Sequence, residues 1–120
     1  MAIEIGAKGL SEVNLTIPQG TSLTFTVAHK DEEGEAVDHS GSTARMAFQT
    51  KDKSTTIDLS EYCACGAEGV TVNIPPSVTS ALSVGKMMWD MIVTTDQGEA
   101  LRMAYGGVAI VDTYALDEAQ

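Results

Sequence analysis

Over most of its length this chain alternates apolar and polar residues with a period of two. Val13, Leu15 and Ile17 alternate with Asn14 and Thr16, and Pro18 and Gly20 stop the run. Leu23, Phe25 and Val27 alternate with Thr24 and Thr26. Ala44, Met46 and Phe48 alternate with Arg45, Ala47 and Gln49, and Val70, Val72 and Ile74 with Thr71 and Asn73. Such a period puts one set of side chains on each face of a strand, one for a core and one for solvent. Threonine on the polar face suits a pleated surface. Thr56 to Leu59 reads as a shorter strand.

Two longer strands close the pattern. In Lys86 to Thr95, Trp89, Met91 and Val93 face inward, while Met88 and Ile92 fall on the outward set. Apolar residues on both sides place that strand near the centre of a sheet or under a cover on both faces. In Glu99 to Val111, Leu101, Met103 and Tyr105 alternate, and the phase shifts to Val108 and Ile110 after Gly106-Gly107. A break at two glycines predicts a β-bulge or bend there.

Turn residues separate these runs: Asp31-Glu32-Glu33-Gly34 and Asp96-Gln97-Gly98. The one helical candidate lies near residues 76–83, where Val78, Ala81 and Leu82 share a face before Gly85. About seven short strands predict an all-β fold, an antiparallel Ig-like β-sandwich with that one short helix. A small jelly roll or barrel is the alternative. The Cys…Trp…Cys pattern of antibody domains is missing, since both cysteines precede Trp89. The chain's 120 residues suffice for one sandwich, expected over 1–112, followed by an acidic tail at 113–120.

Charge narrows the partners. Seventeen acidic residues against seven Lys and Arg give a formal net charge of −10. Nucleic acids and anionic membranes are bound through Lys and Arg, so neither is an expected partner. Five of the acids lie between Asp31 and Asp38, on an expected solvated hairpin tip. They lack the spacing of an EF-hand loop, which leaves only a weak calcium reading. The N-terminus carries Glu4 and has no basic stretch ahead of an apolar run, so it is not read as a secretory leader.

Chemistry is sparse. In an extended segment Cys63 and Cys65 would sit about 6.5–7 Å apart on one face, at or beyond the upper edge of disulfide geometry. They supply two of the four ligands a closed zinc site needs. Reduced thiols in a cytoplasmic setting are expected. Asp38, His39 and Ser40 carry the letters of a triad, but loop neighbours do not make one. His29 and His39 are expected as solvated loop residues. No phosphate-binding or nucleophile-elbow motif occurs, so neither an enzyme nor a cofactor is expected.

Six methionines make a surface argument instead. Met87 and Met88 are strand neighbours, so one must face away from the core. An outward methionine suits a docking surface. Met87, Met88, Tyr105 and Tyr114 are the candidate interface residues.

One run of features resembles a known family. It comprises Ile17-Pro18-Gln19-Gly20-Thr21, Asp31 to Asp38 with Gly34 and Val37, Thr43-Ala44-Arg45-Met46, Leu82 with Gly85, Trp89-Asp90, Gly98, and Gly106 to Val108. It is similar to β-sandwich domains of tailed-phage structural proteins, including the N-terminal domain of baseplate upper proteins and small tail or head-to-tail accessory proteins. The likeness spans about Leu15 to Val111. His39 stands where that family often has Leu, and the chain stops where a baseplate protein continues into a helical linker. The resemblance therefore implies a free-standing, non-enzymatic subunit of a bacteriophage virion. It would be assembled in the host cytoplasm in multiple copies, against capsid, neck or tail proteins. Two other classes compete with this reading. A carbohydrate- or cell-surface-binding module needs aromatic platforms, and only Tyr62, Tyr105 and Tyr114 are available. A small hydrolase would depend on Asp38, His39 or His29.

Overall fold

In a computed structural model, described over residues 2–5 and 11–113, the chain forms two packed β-sheets. Ten strands are present among the described residues: β1 (Ala2–Ile5), β2 (Ser11–Glu12), β3 (Leu15–Pro18), β4 (Leu23–His29), β5 (Thr43–Gln49), β6 (Thr56–Asp58), β7 (Cys63–Gly66), β8 (Gly69–Ile74), β9 (Gly85–Thr94) and β10 (Ala100–Val111). One sheet has the order β1-β4-β8-β7. The other runs β2-β10-β9-β5-β6, with β3 also on the outer edge of β10.

All seven alternating segments are strands, and the fold is all-β as expected. The pairings are not all antiparallel. β1 runs parallel to β4, and β2 and β3 run parallel to β10. The N-terminal strands thereby cover one edge of each sheet, pairing backbone groups that an open edge would expose. β9 lies at the middle of its sheet, consistent with apolar residues on both its faces.

The inward residues meet between the sheets. Phe25, Val27, Val70 and Val72 of one face Met46, Phe48, Trp89, Met91 and Met103 of the other, all buried. The Phe25 and Trp89 rings pack edge to face, with centroids 6.0 Å apart, a favoured aromatic geometry.

The expected break in β10 falls elsewhere. The register shifts between Arg102 and Ala104. Met103 and Ala104 are both buried, and Tyr105 turns outward. The glycine pair answers a different demand. Between β2 and β3 the chain steps over β10 at Val13-Asn14. A Cβ on Gly106 would lie 2.0 Å from the Val13 carbonyl oxygen, so only glycine admits that approach.

The helix is also shorter than expected. α1 spans Pro76–Thr79. Tight i to i+3 bonds, Ala81 N–H to Val78 O and Leu82 N–H to Thr79 O, carry the turn on to Leu82. Thr79 is fully buried and its hydroxyl donates to the Thr21 carbonyl at 2.7 Å. That bond fixes the segment over one end of the sandwich. The expected acidic tail, with Tyr114, lies outside the described residues except for Thr113.

Candidate functional site

Registered partners in neighbouring strands point to the same face of a sheet. On the outer face of the six-stranded sheet this gives three successive rows. Arg45, Ile92 and Arg102 form one, Ala47, Asp90 and Tyr105 the next, and Gln49, Met88 and Gly107 the third. Beyond them Lys86 lies beside Ala109. Gly107 offers no side chain to cover Met88. Met88 is 43% exposed, and it and Val84 are the large hydrophobic residues that stand exposed among the described residues.

The expected interface residues thus part company. Met87 turns into the core and Met88 faces out. Tyr105 is half-buried on the same outer face, with the Arg102 guanidinium 4.6 Å above its ring. Arg102 Nε also lies 3.5 Å from Asp90 Oδ2. Both side chains of that ion pair are largely solvated, so it contributes little to stability.

Two shallow clefts meet at Met88. One, of about 480 Å³, has Leu15, Met87, Val108 and Ala109 in its lining, with Lys51 and Lys86 at its walls. The other, of about 450 Å³, is lined by Arg45, Lys53, Arg102, Tyr105 and Met88 among others. Five of the chain's seven Lys and Arg residues therefore line two adjoining clefts. Sequence reading missed this gathering. Lys51 and Lys86 are far apart in the chain and meet only because the β5–β6 loop lies beside the start of β9. The one local signal was Lys86 directly before Met87-Met88.

The opposite end is acidic. The β4–β5 loop carries Asp31, Glu32, Glu33, Glu35 and Asp38, all exposed. The β9–β10 hairpin adds Asp96 and Glu99. A Cβ on Gly41 would touch Asp96 Oδ2 at 3.4 Å, so the two loops are adjacent. The carboxylates have local work. Asp31 Oδ1 accepts the Glu33 and Glu35 N–H groups, both at 2.9 Å. Asp38 accepts the side-chain and backbone donors of Ser40, which hold its carboxyl below the usual range. Among the described residues no three His, Cys, Asp or Glu side chains converge as a metal site.

The histidines correct their expectation. Both are buried, at 3% and 2% exposure, under the acidic loops. His29 Nδ1 and His39 Nε2 are 2.8 Å apart. Ring planes differ by 12° and centroids lie 5.1 Å apart. The centroid separation exceeds the N···N distance by about one ring width, so the rings meet edge to edge along the hydrogen bond. His39 Nδ1 contacts Ser42 Oγ at 3.3 Å. Burial first, then the neighbouring His29, lowers the His39 pKa, opposed by Asp38. One of these two nitrogens donates and the other accepts, so neither is left to share a common ligand. The lettered triad is absent: the Ser40 hydroxyl goes to Asp38, and His39 faces His29 and Ser42.

Cys63 and Cys65 are free thiols on β7. Burial, with a smaller contribution from Cys65, pushes the Cys63 thiol up to about 11. Burial also raises Cys65. Raised thiols are protonated and unreactive at neutral pH.

This architecture has a counterpart among solved structures. The chain shares the fold of a phage protein domain. It superimposes on the N-terminal domain of phage TP901-1 ORF48 with a TM-score of 0.56, covering 91% of this chain and 95% of that one. Sequence identity is 8%, so the likeness is one of fold. No protein-family model and no curated protein sequence matches the chain.

Proposed function

We propose that this protein is a non-enzymatic structural component of a tailed-phage particle, acting in the tail, the neck or as a capsid accessory subunit. The observation that carries this reading is the fold match to a phage domain over almost the whole of both chains. The residue run from Ile17 to Val108, similar to tailed-phage sandwich domains, supports it independently. The protein works by surface, in multiple copies, through the outer face of the six-stranded sheet around Met88 and Tyr105.

The chemistry of the side chains agrees with that role. His39 is occupied by His29 and Ser42. Both thiols have raised pKa values. Among the described residues the sugar-binding alternative has little to work with: Phe25, Phe48 and Trp89 are buried, and Tyr62 and Tyr105 are half-buried. A stacking platform needs an open ring face.

Mass spectrometry of purified particles, with cryo-electron microscopy to place the subunit, tests the proposal. The chain is expected in mature particles at a fixed ratio to the major structural proteins. Its absence from them would sink the proposal.

A further inference from the structure

We propose that the Lys51–Lys86 cleft beside Met88 receives the acidic loop end of a second copy of this chain, so that copies join head to tail. This rests on the assembly role above and names a first partner for the same face.

The cleft has the chemistry of a docking site for an acidic segment. Its floor is apolar, its rim carries the exposed Met88, and the two charged residues among its described lining are both lysines. Among the described residues no carboxylate lines it. In a chain of net charge −10 that is a local inversion of sign. An apolar floor gives affinity by burial, while the flanking charges select the partner and its orientation.

The complementary surface is on the same molecule. Seven carboxylates gather on the β4–β5 loop and the β9–β10 hairpin, Asp31 to Asp38 and Asp96 with Glu99. β9 starts at Gly85, passes the cleft at Lys86 and ends beside the acidic loops, at Thr94. A strand of that length spans about 30 Å. The acidic end therefore cannot fold back into its own cleft, and the contact has to be made between copies. The two surfaces differ, so the interface is heterologous, and repetition gives a ring or a filament according to the rotation between copies.

Sedimentation velocity over a concentration series tests this on the full chain. The wild type should self-associate, and association should weaken as salt screens the charges. Lys51→Glu with Lys86→Glu should weaken association about tenfold or more, as should Asp96→Lys with Glu99→Lys. All four side chains are exposed. An equimolar mixture of the two double variants retains one intact cleft and one intact acidic end. It should form a heterodimer, which also shows that both variants are folded. A wild type that stays monomeric at every concentration overturns the proposal. So does association that the lysine reversals leave unchanged, or a mixture that yields no heterodimer. Cross-links from Lys51 or Lys86 to a different protein in purified particles would overturn the second-copy partner and leave the virion role standing.

Discussion

Trp89 Nε1 donates a 2.8 Å hydrogen bond to the carbonyl oxygen of Val13, across 76 positions of sequence. The same oxygen is the atom that a Cβ on Gly106 would strike at 2.0 Å. Val13 N–H in turn donates to the Tyr105 carbonyl at 2.7 Å. One backbone step therefore ties the N-terminal edge strands to β9 and β10 together. It also seats the Asn14 side chain, whose Oδ1 accepts the Gly107 N–H at 2.9 Å.

The two neighbouring glycines should behave differently. Gly106→Ala forces the Val13 step off β10, at a cost of about 1–3 kcal/mol. A Cβ on Gly107 meets only Asn14 Oδ1, at 3.5 Å. Gly107→Ala should stay within about 0.5 kcal/mol of the wild type. Urea unfolding of both variants, followed by Trp89 fluorescence, checks the contrast. Equal losses would mean that the Val13 step yields freely.

Removing the donor probes the same junction. Trp89→Phe keeps an aromatic ring against Phe25 but deletes the N–H to Val13, leaving a partly buried carbonyl unpaired. The expected loss is about 1–3 kcal/mol. Hydrogen exchange should report the change, with faster exchange at Val13 N–H and along β3.

The legible part of the fold was the part written in period two. Seven strands stand where alternation placed them, because alternate burial is what a two-sheet core selects. β7 was missed because Cys63-Ala64-Cys65-Gly66 is short and small, with no contrast between its faces. β2 and β3 pair in parallel, which alternation does not encode. Gly106-Gly107 was legible as a special site, but its cause is a neighbouring carbonyl, invisible in β10 alone. Met88 was legible through strand geometry, whereas the lysines beside it converge only in three dimensions. His29 continues the inward set of β4 after Phe25 and Val27, a position its polar side chain disguised, and His39 lies buried against it.

Buried His39 makes stability fall on mild acidification. Burial and His29 lower the folded pKa of His39 below its ordinary 6.5. The unfolded chain then binds the proton more readily. The stabilisation is complete above pH 6.5 and is lost as pH falls from there toward the lowered folded value. Urea midpoints measured between pH 7.5 and pH 5 should decline for the wild type. His39→Asn should lower stability at pH 7.5 yet flatten this slope. A second loss, from the hydrogen-bonded Asp38, Asp52 and Asp58, belongs below pH 3.8. An unchanged wild-type midpoint down to pH 5 contradicts the assignment.

Cys63 should resist alkylation until the chain unfolds. A thiol raised from 9.0 to about 11 carries about a hundredfold less thiolate at pH 8 than an unperturbed one. Iodoacetamide labelling at pH 8 should therefore be slow in the native protein and fast in urea. Rapid native labelling of Cys63 would mean that β7 opens readily.

The central claim is that the protein enters a phage particle through the sheet face around Met88. Quantitative mass spectrometry of particles assembled with the wild type, Met88→Glu or a Val84→Glu control tests it most directly. Both substitutions lie at exposed positions, so both variants should fold with nearly wild-type stability. The account predicts full incorporation of the wild type and the Val84 control, and loss of Met88→Glu from particles. Absence of the wild-type chain from particles, or full incorporation of Met88→Glu, would contradict it.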